Sequence, residues 1–125
     1  MMLSYVSINN AFKSKDFKKY YCIKCGSWLS TSKDELPRKG KVRHSYINPA
    51  GIRCDFITFS RCDNVIADNQ RYEEHSWFEG YSWRFLLCAN CFCHLGWQYD
   101  ALDDSQQDAI FFGLLLNAVS FASSN

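Results

Sequence analysis

Residues 83–99 read WRFLLCANCFCHLGWQY. Two aromatic-rich apolar runs, WRFLLC and HLGWQY, flank a Cys-x-x-Cys pair, Cys88 and Cys91. Runs of this length and composition on either side of a turn read as strands. A Cys-x-x-Cys knuckle aims two sulfurs at one point, and a second knuckle completes a tetrahedral S4 site for zinc. KYYCIKCGSWLS, residues 19–30, supplies that second pair as Cys22 and Cys25.

The two pairs are separated by 62 residues, whereas simple zinc ribbons space their pairs by about 15–20. The metal would therefore join the first strands to the last hairpin across most of the domain. Thiolate-bound zinc supplies roughly 10–16 kcal/mol in small peptides, comparable with the stability of a whole domain. Zn2+ held by Cys22, Cys25, Cys88 and Cys91 is thus read as one structural ion. A redox Cys-x-x-Cys would stand alone and open a helix in a βαβ setting, and no such setting is visible. Cys93 lies close to Cys88, but Cys88 and Cys91 have the two-residue spacing of a knuckle. Haem attachment fails, because Cys93, which precedes His94, has no cysteine three residues before it. Cys54 and Cys62 read as small buried hydrophobes.

The rest of the chain is patterned for strands. VRHSYI is a strand candidate that stops at the turn signal Asn48-Pro49-Ala50-Gly51. IRCDFITFS alternates, with Ile52, Cys54, Phe56 and Thr58 expected on one face. NVIAD is a short strand or loop, and LDDSQQD a polar turn. The late apolar run AIFFGLLLNAVSF is ambiguous between strand and helix, and it is too short to span a bilayer. Short strands with turns every 8–12 residues argue for one all-β domain over residues 18–125, preceded by a polar lead-in over 1–17.

Composition narrows the function. The 125 residues are 47% hydrophobic and 22% charged, as in a globular protein. Net charge is +1, so the total gives no pull toward nucleic acid or membranes. The charge is uneven: residues 1–53 hold 11 Lys/Arg against 3 Asp/Glu, and residues 54–125 hold 3 against 10. The two halves are expected to interleave in one fold. No basic region followed by an apolar core opens the chain, so no secretory signal is read. The seven cysteines then suit a reducing cytoplasm, as thiols or metal ligands.

The stretch EEHSWFEGYSW, residues 73–83, crowds aromatics into a polar segment, with Gly80 placed as a hairpin tip would be. Trp77, Trp83 and Trp97 converge if the metal gathers the intervening chain, and three indoles then wall a small box. Such a box suits a quaternary ammonium. It also suits a flat, neutral polar ring whose edge meets main-chain groups, or a stacked nucleobase. Spacing alone does not choose among them.

The frame YYCIKC, NPAG, EHSWFEGYSW, LCANC, HLGWQY and FFGL resembles the CULT domain family, the thalidomide-binding domain of cereblon and its stand-alone bacterial relatives. The likeness covers roughly Tyr20–Asn117. It implies a β-tent: two small antiparallel sheets meeting at an angle and pinned by one zinc. It also implies that Trp77, Trp83 and Trp97 form a cage for a cyclic imide, and that Tyr99 closes its base. The imide edge would be held by main-chain groups at His75 and Trp77, with Ser76 between them and Asn48 at the rim. Implied ligands are glutarimide and thalidomide-type rings, uridine-like rings, and peptides with a C-terminal cyclic imide. The expected protein is a monomeric binding module and not an enzyme, with neither nucleic acid nor membrane as partner. The alternatives are a β-tent oxidoreductase related to methionine-R-sulfoxide reductase and a reader of quaternary ammonium or nucleic-acid ligands. The reductase would need a placed nucleophilic cysteine, and no cysteine follows Trp97.

Overall fold

The computed structural model describes residues 17–123, so the lead-in expected over 1–17 falls almost entirely outside the described residues. The described chain is all-β. Its strands are β1 (Lys18–Cys22), β2 (Trp28–Thr31), β3 (Arg43–Ile47), β4 (Arg53–Phe59), β5 (Val65–Ala67), β6 (Tyr81–Cys88), β7 (His94–Ala101), β8 (Ile110–Leu115) and β9 (Val119–Ser123). They form two antiparallel sheets, ordered β2-β1-β9 and β3-β4-β8-β7-β6-β5. The larger sheet is wider than the small sheet expected, because β5 and β3 extend both of its edges.

The ambiguous apolar run is β8 and β9, joined by a single 3-10 turn at Leu116–Ala118. β8 lies between β4 and β7, and its two faces pack on different clusters of buried side chains, Phe111 with Phe56 and Tyr99 and Leu114 with Leu86 and Leu95. A strand buried on both faces loses the alternation that would have revealed it. β9 crosses to the other sheet and pairs with β1 from Cys22↔Val119 to Lys18↔Ser123. The chain thus closes the small sheet with its last described residues.

Two glycines let β7 and β8 approach closely. Gly96 has φ +152°, and a Cβ there would collide with the Gly113 carbonyl. Gly113 lies opposite Trp97 in the ladder, and a Cβ at Gly113 would press within 2.9 Å of the Phe56 ring. The bare backbone leaves room for Phe56 and the Trp97 indole to meet edge to face at 5.6 Å.

Two expectations are corrected. Gly80 is not the tip of a tight hairpin. β5 and β6 do pair, but their connection is long, and Tyr72 and Trp83 exchange both backbone hydrogen bonds at 2.8 Å to close the wide 73–82 loop. Gly80, at φ +88°, ends that loop directly before β6. Ile52 does not share the inward face of β4. It precedes the strand and is 60% exposed, while Cys54, Phe56 and Thr58 point inward.

The core has two parts. One gathers Tyr20, Leu29, Phe59, Leu86, Leu95 and Leu114 around the cysteine knuckles. The other is almost entirely aromatic: Phe56, Phe78, Tyr81, Trp97, Tyr99 and Phe111. His44 on β3 is buried against this second part, stacked on Phe56 at 5.4 Å and edge-on to Phe78 at 5.3 Å. The Thr58 hydroxyl donates to the Leu36 carbonyl at 2.7 Å. It is therefore the acceptor for His44 Nε2 at 3.4 Å, and His44 Nδ1 has no partner among the described residues. Burial, reinforced by the Lys41 charge and more weakly by Lys39 and Arg38, pushes the His44 pKa down. The folded protein favours the neutral ring more than the unfolded chain does, and the unfolded chain charges it below about pH 6.5. Its contribution to stability is full above about pH 6.5 and is lost as pH falls from there toward the depressed folded value. The urea midpoint is expected to drop between pH 7.5 and pH 5.5 in the wild type, and His44→Phe is expected to flatten that slope.

Candidate functional site

The cysteine knuckles share one geometry. Cys22 ends β1 and Cys88 ends β6. Gly26 donates its N–H to the Cys22 carbonyl at 2.8 Å, and Phe92 donates to the Cys88 carbonyl at 2.8 Å. Both of these residues have positive φ, 77° at Gly26 and 63° at Phe92. Cys22 N–H donates to the Ser27 carbonyl at 2.8 Å, and Cys88 N–H to the Cys93 carbonyl at 2.9 Å. Cys93 therefore occupies the flanking position that Ser27 holds in the first knuckle, and Cys91 is the counterpart of Cys25.

The sulfurs of Cys22, Cys25, Cys88 and Cys91 all lie within 4.8 Å of one another. Cys22–Cys91 and Cys25–Cys88 are each 3.6 Å apart. Zinc–sulfur bonds of about 2.3 Å place the corners of a tetrahedron about 3.8 Å apart, so the four residues fit a tetrahedral thiophilic ion. Hydrogen bonds from the Asn90 side chain and then Ser27 hold the Cys25 thiol down at about 6. Cys93 Sγ touches Cys22 Sγ at 3.4 Å, as a fifth sulfur beside the set. Cys54 and Cys62 pack into the two cores, and burial pushes both thiols up.

The aromatic cavity lies on one face of the β6–β7 hairpin. The ladder pairs Trp83 with Tyr99 and Phe85 with Trp97. Cross-strand partners and residues two apart share a face, so these four rings form one wall and floor. Trp77 comes from the 73–80 loop and meets Trp97 edge to face at 5.2 Å. The cavity measures about 300 Å³ and is lined by Asn48, Pro49, His75, Trp77, Trp83, Phe85, His94, Trp97 and Tyr99. Every expected cage residue except Ser76 lines it. Ser76 faces a shallower groove beside the cavity, where its hydroxyl accepts from the Phe78 N–H at 3.3 Å.

Each wall is anchored from behind. Trp83 stacks on Tyr72 at 4.7 Å and donates its indole N–H to the Glu74 carbonyl at 2.8 Å. Tyr99 stacks on Phe111 at 4.7 Å. Asn48 Oδ1 accepts from the Ala50 and Ile52 N–H groups at 3.0 and 2.9 Å, fixing the rim turn. His75 adopts φ +61°. Among the described residues, neither the His75 carbonyl nor the Trp77 N–H takes a hydrogen-bond partner.

Phe85 and His94 also line the cavity, and neither is singled out by the sequence pattern. The signal for Phe85 is its spacing from Trp83, two residues along the same strand. His94 is edge-on to both Phe85 and Trp97, at 5.4 and 5.6 Å, with Nε2 2.8 Å from the Gly96 carbonyl. On the opposite face of the β6–β7 hairpin, Asp100 is buried and accepts from Gln98 Nε2 at 2.7 Å. Arg84 Nε and Arg71 Nε both approach its Oδ2, at 3.2 and 3.3 Å, as ion pairs without the alignment of a hydrogen bond.

The molecule is thus a small all-β domain with a four-cysteine centre and an aromatic cavity. The family described as Yippee zinc-binding/DNA-binding/Mis18, centromere assembly matches residues 14–124, and the chain belongs to that family. It is 32% identical to protein cereblon of Drosophila grimshawi over 112 residues, 85% of this chain and 16% of that protein. Against protein cereblon of Drosophila melanogaster it is 31% identical over 117 residues, 89% of this chain and 20% of that protein. Its resemblance to the CULT domain of cereblon therefore stands, and it spans about a fifth or less of the length of those relatives. No helix among the described residues is long and apolar enough to cross a membrane.

Replacing a ligand sulfur is expected to cost far more than replacing its neighbour. Cys25→Ser should lose bound zinc, measured by metal analysis, and should melt without a cooperative transition. Cys93→Ser should keep one equivalent of zinc and a near-wild-type melting curve.

Proposed function

We propose that this chain is a binding module, built around one structural zinc, whose cavity takes a neutral cyclic imide. Candidate ligands are glutarimide and related rings, uridine-like rings, and peptides with a C-terminal cyclic imide. The observation that carries the reading is an aromatic cavity lined by two residues with unpaired main-chain groups. The walls are indole, phenyl, phenol and imidazole rings, and none of the lining residues is Lys, Arg, Asp or Glu. An imide presents one N–H between two carbonyls. The His75 carbonyl and the Trp77 N–H supply an acceptor and a donor for that edge, while the indoles cover the ring faces and exclude water.

The same observation weighs against the other ligand classes. A phosphate-bearing ligand calls for cationic partners, and a quaternary ammonium is favoured by acidic groups around the rings. No Lys, Arg, Asp or Glu lines the cavity. A reductase would need an activated thiolate at the cavity; no cysteine lines it, and the thiols of Cys54 and Cys62 are pushed up by burial.

A ring the size of glutarimide is bounded at about 12 kcal/mol of binding energy. About 8 kcal/mol, or micromolar affinity, is the expected scale. Titration of the zinc-loaded protein with glutarimide should give saturable tryptophan quenching. Trimethyl-lysine should give none. Trp83→Ala and Trp97→Ala should abolish the response while leaving zinc bound. A response to trimethyl-lysine alone, or none to glutarimide from folded zinc-loaded protein, would overturn the reading.

A further inference from the structure

The turn between β2 and β3 places a lysine where lysine is disfavoured. Arg38 and Lys41 exchange backbone hydrogen bonds at 2.8 and 3.1 Å around the two-residue turn Lys39-Gly40. Both turn residues have positive φ, 53° at Lys39 and 79° at Gly40. That is the type I′ geometry, in which Gly, Asn and Asp dominate because a longer side chain is strained. Gly40 meets the requirement and Lys39 does not. Strain at a residue of this kind persists only where surrounding contacts hold it.

Those contacts lead to the cage. Lys39 Nζ donates to the Trp77 carbonyl at 2.9 Å and to the Tyr46 hydroxyl at 3.2 Å. It also lies over the Tyr46 and Phe78 rings, 5.5 and 5.3 Å from their centres. Tyr46 stacks flat against Trp77, with centroids 5.0 Å apart and planes 12° from parallel. One ammonium thus ties the turn, β3 and the aromatic loop together behind the Trp77 wall. Residues 73–80 lie outside any strand, so this loop depends on such side-chain ties for its position.

We propose that Lys39 is a positioning residue, a latch that holds the Trp77 main chain and indole in their ligand-ready arrangement. Lys39 does not line the cavity, so it acts through Trp77. The inference rests on the reading of the cavity as an imide cage. When the latch is lost, only part of the population presents a formed cage, and apparent affinity falls by that fraction. The loss should appear in the association rate, with the dissociation rate little changed.

Lys39→Asn tests this, because Asn suits the type I′ turn but is too short to reach Trp77. The variant should keep its zinc and be at least as stable as wild type in urea. It should bind glutarimide roughly three- to tenfold more weakly, and the amides of residues 75–80 should exchange hydrogen faster. Lys39→Arg, which keeps a cationic donor, should recover most of the affinity. A Lys39→Asn protein with wild-type affinity, or with no faster exchange in that loop, overturns the latch. If wild type itself fails to bind glutarimide, the cage reading fails, and the exchange rate of residues 75–80 alone decides the latch.

Discussion

Everything in this domain depends on the meeting of two turns far apart in sequence. Cys22 and Cys25 close the turn after β1, and Cys88 and Cys91 close the turn after β6. Without a metal, four polar thiols or repelling thiolates would crowd together at the first core. With one, the same atoms would join the small sheet to the β6–β7 hairpin of the large one. The matching hydrogen bonds of the two knuckles, Gly26 to Cys22 and Phe92 to Cys88, show that each turn has its shape from its own backbone. The long loop between them is thereby closed at one point, where chain entropy would otherwise oppose it.

The aromatic cavity is a consequence of that closure. β6 runs into the second knuckle and β7 runs out of it, so the register of their hairpin is fixed at one end by that turn. That register puts Trp83 opposite Tyr99 and Phe85 opposite Trp97. Gly96 and Gly113 then let β8 come close enough for Phe56 to support the floor. The remaining wall, Trp77, comes from a loop outside the strands and is held by stacking on Tyr46 and Phe56 and by the reach of Lys39.

Much of this was legible in the sequence. WRFLLC and HLGWQY announced β6 and β7 by composition, and the two Cys-x-x-Cys pairs announced the centre that joins them. VRHSYI, stopped by the Asn48–Gly51 turn signal, marked β3, and IRCDFITFS marked β4 through alternation. What stayed hidden had physical reasons. AIFFGLLLNAVSF is covered on both faces over β8, so its periodicity could not separate strand from helix. Gly80 suggested a tight turn, whereas the chain uses a wide loop closed by Tyr72 and Trp83, a pairing that no local signal marks. Phe85 and His94 looked like an ordinary strand residue and a knuckle neighbour, because only the hairpin register turns them toward the cavity. Lys39 sat in a stretch that reads as a loop, and its reach to Trp77 is a tertiary fact.

The most direct test of the imide cage is to map glutarimide onto the protein by amide and indole NMR shifts. Saturable movement is expected for the Trp77 backbone amide and for the indole signals of Trp77, Trp83 and Trp97, with the residues of the small sheet unmoved. Saturation with none of these signals moving, or with the shifts gathered away from residues 75–99, would contradict the cage.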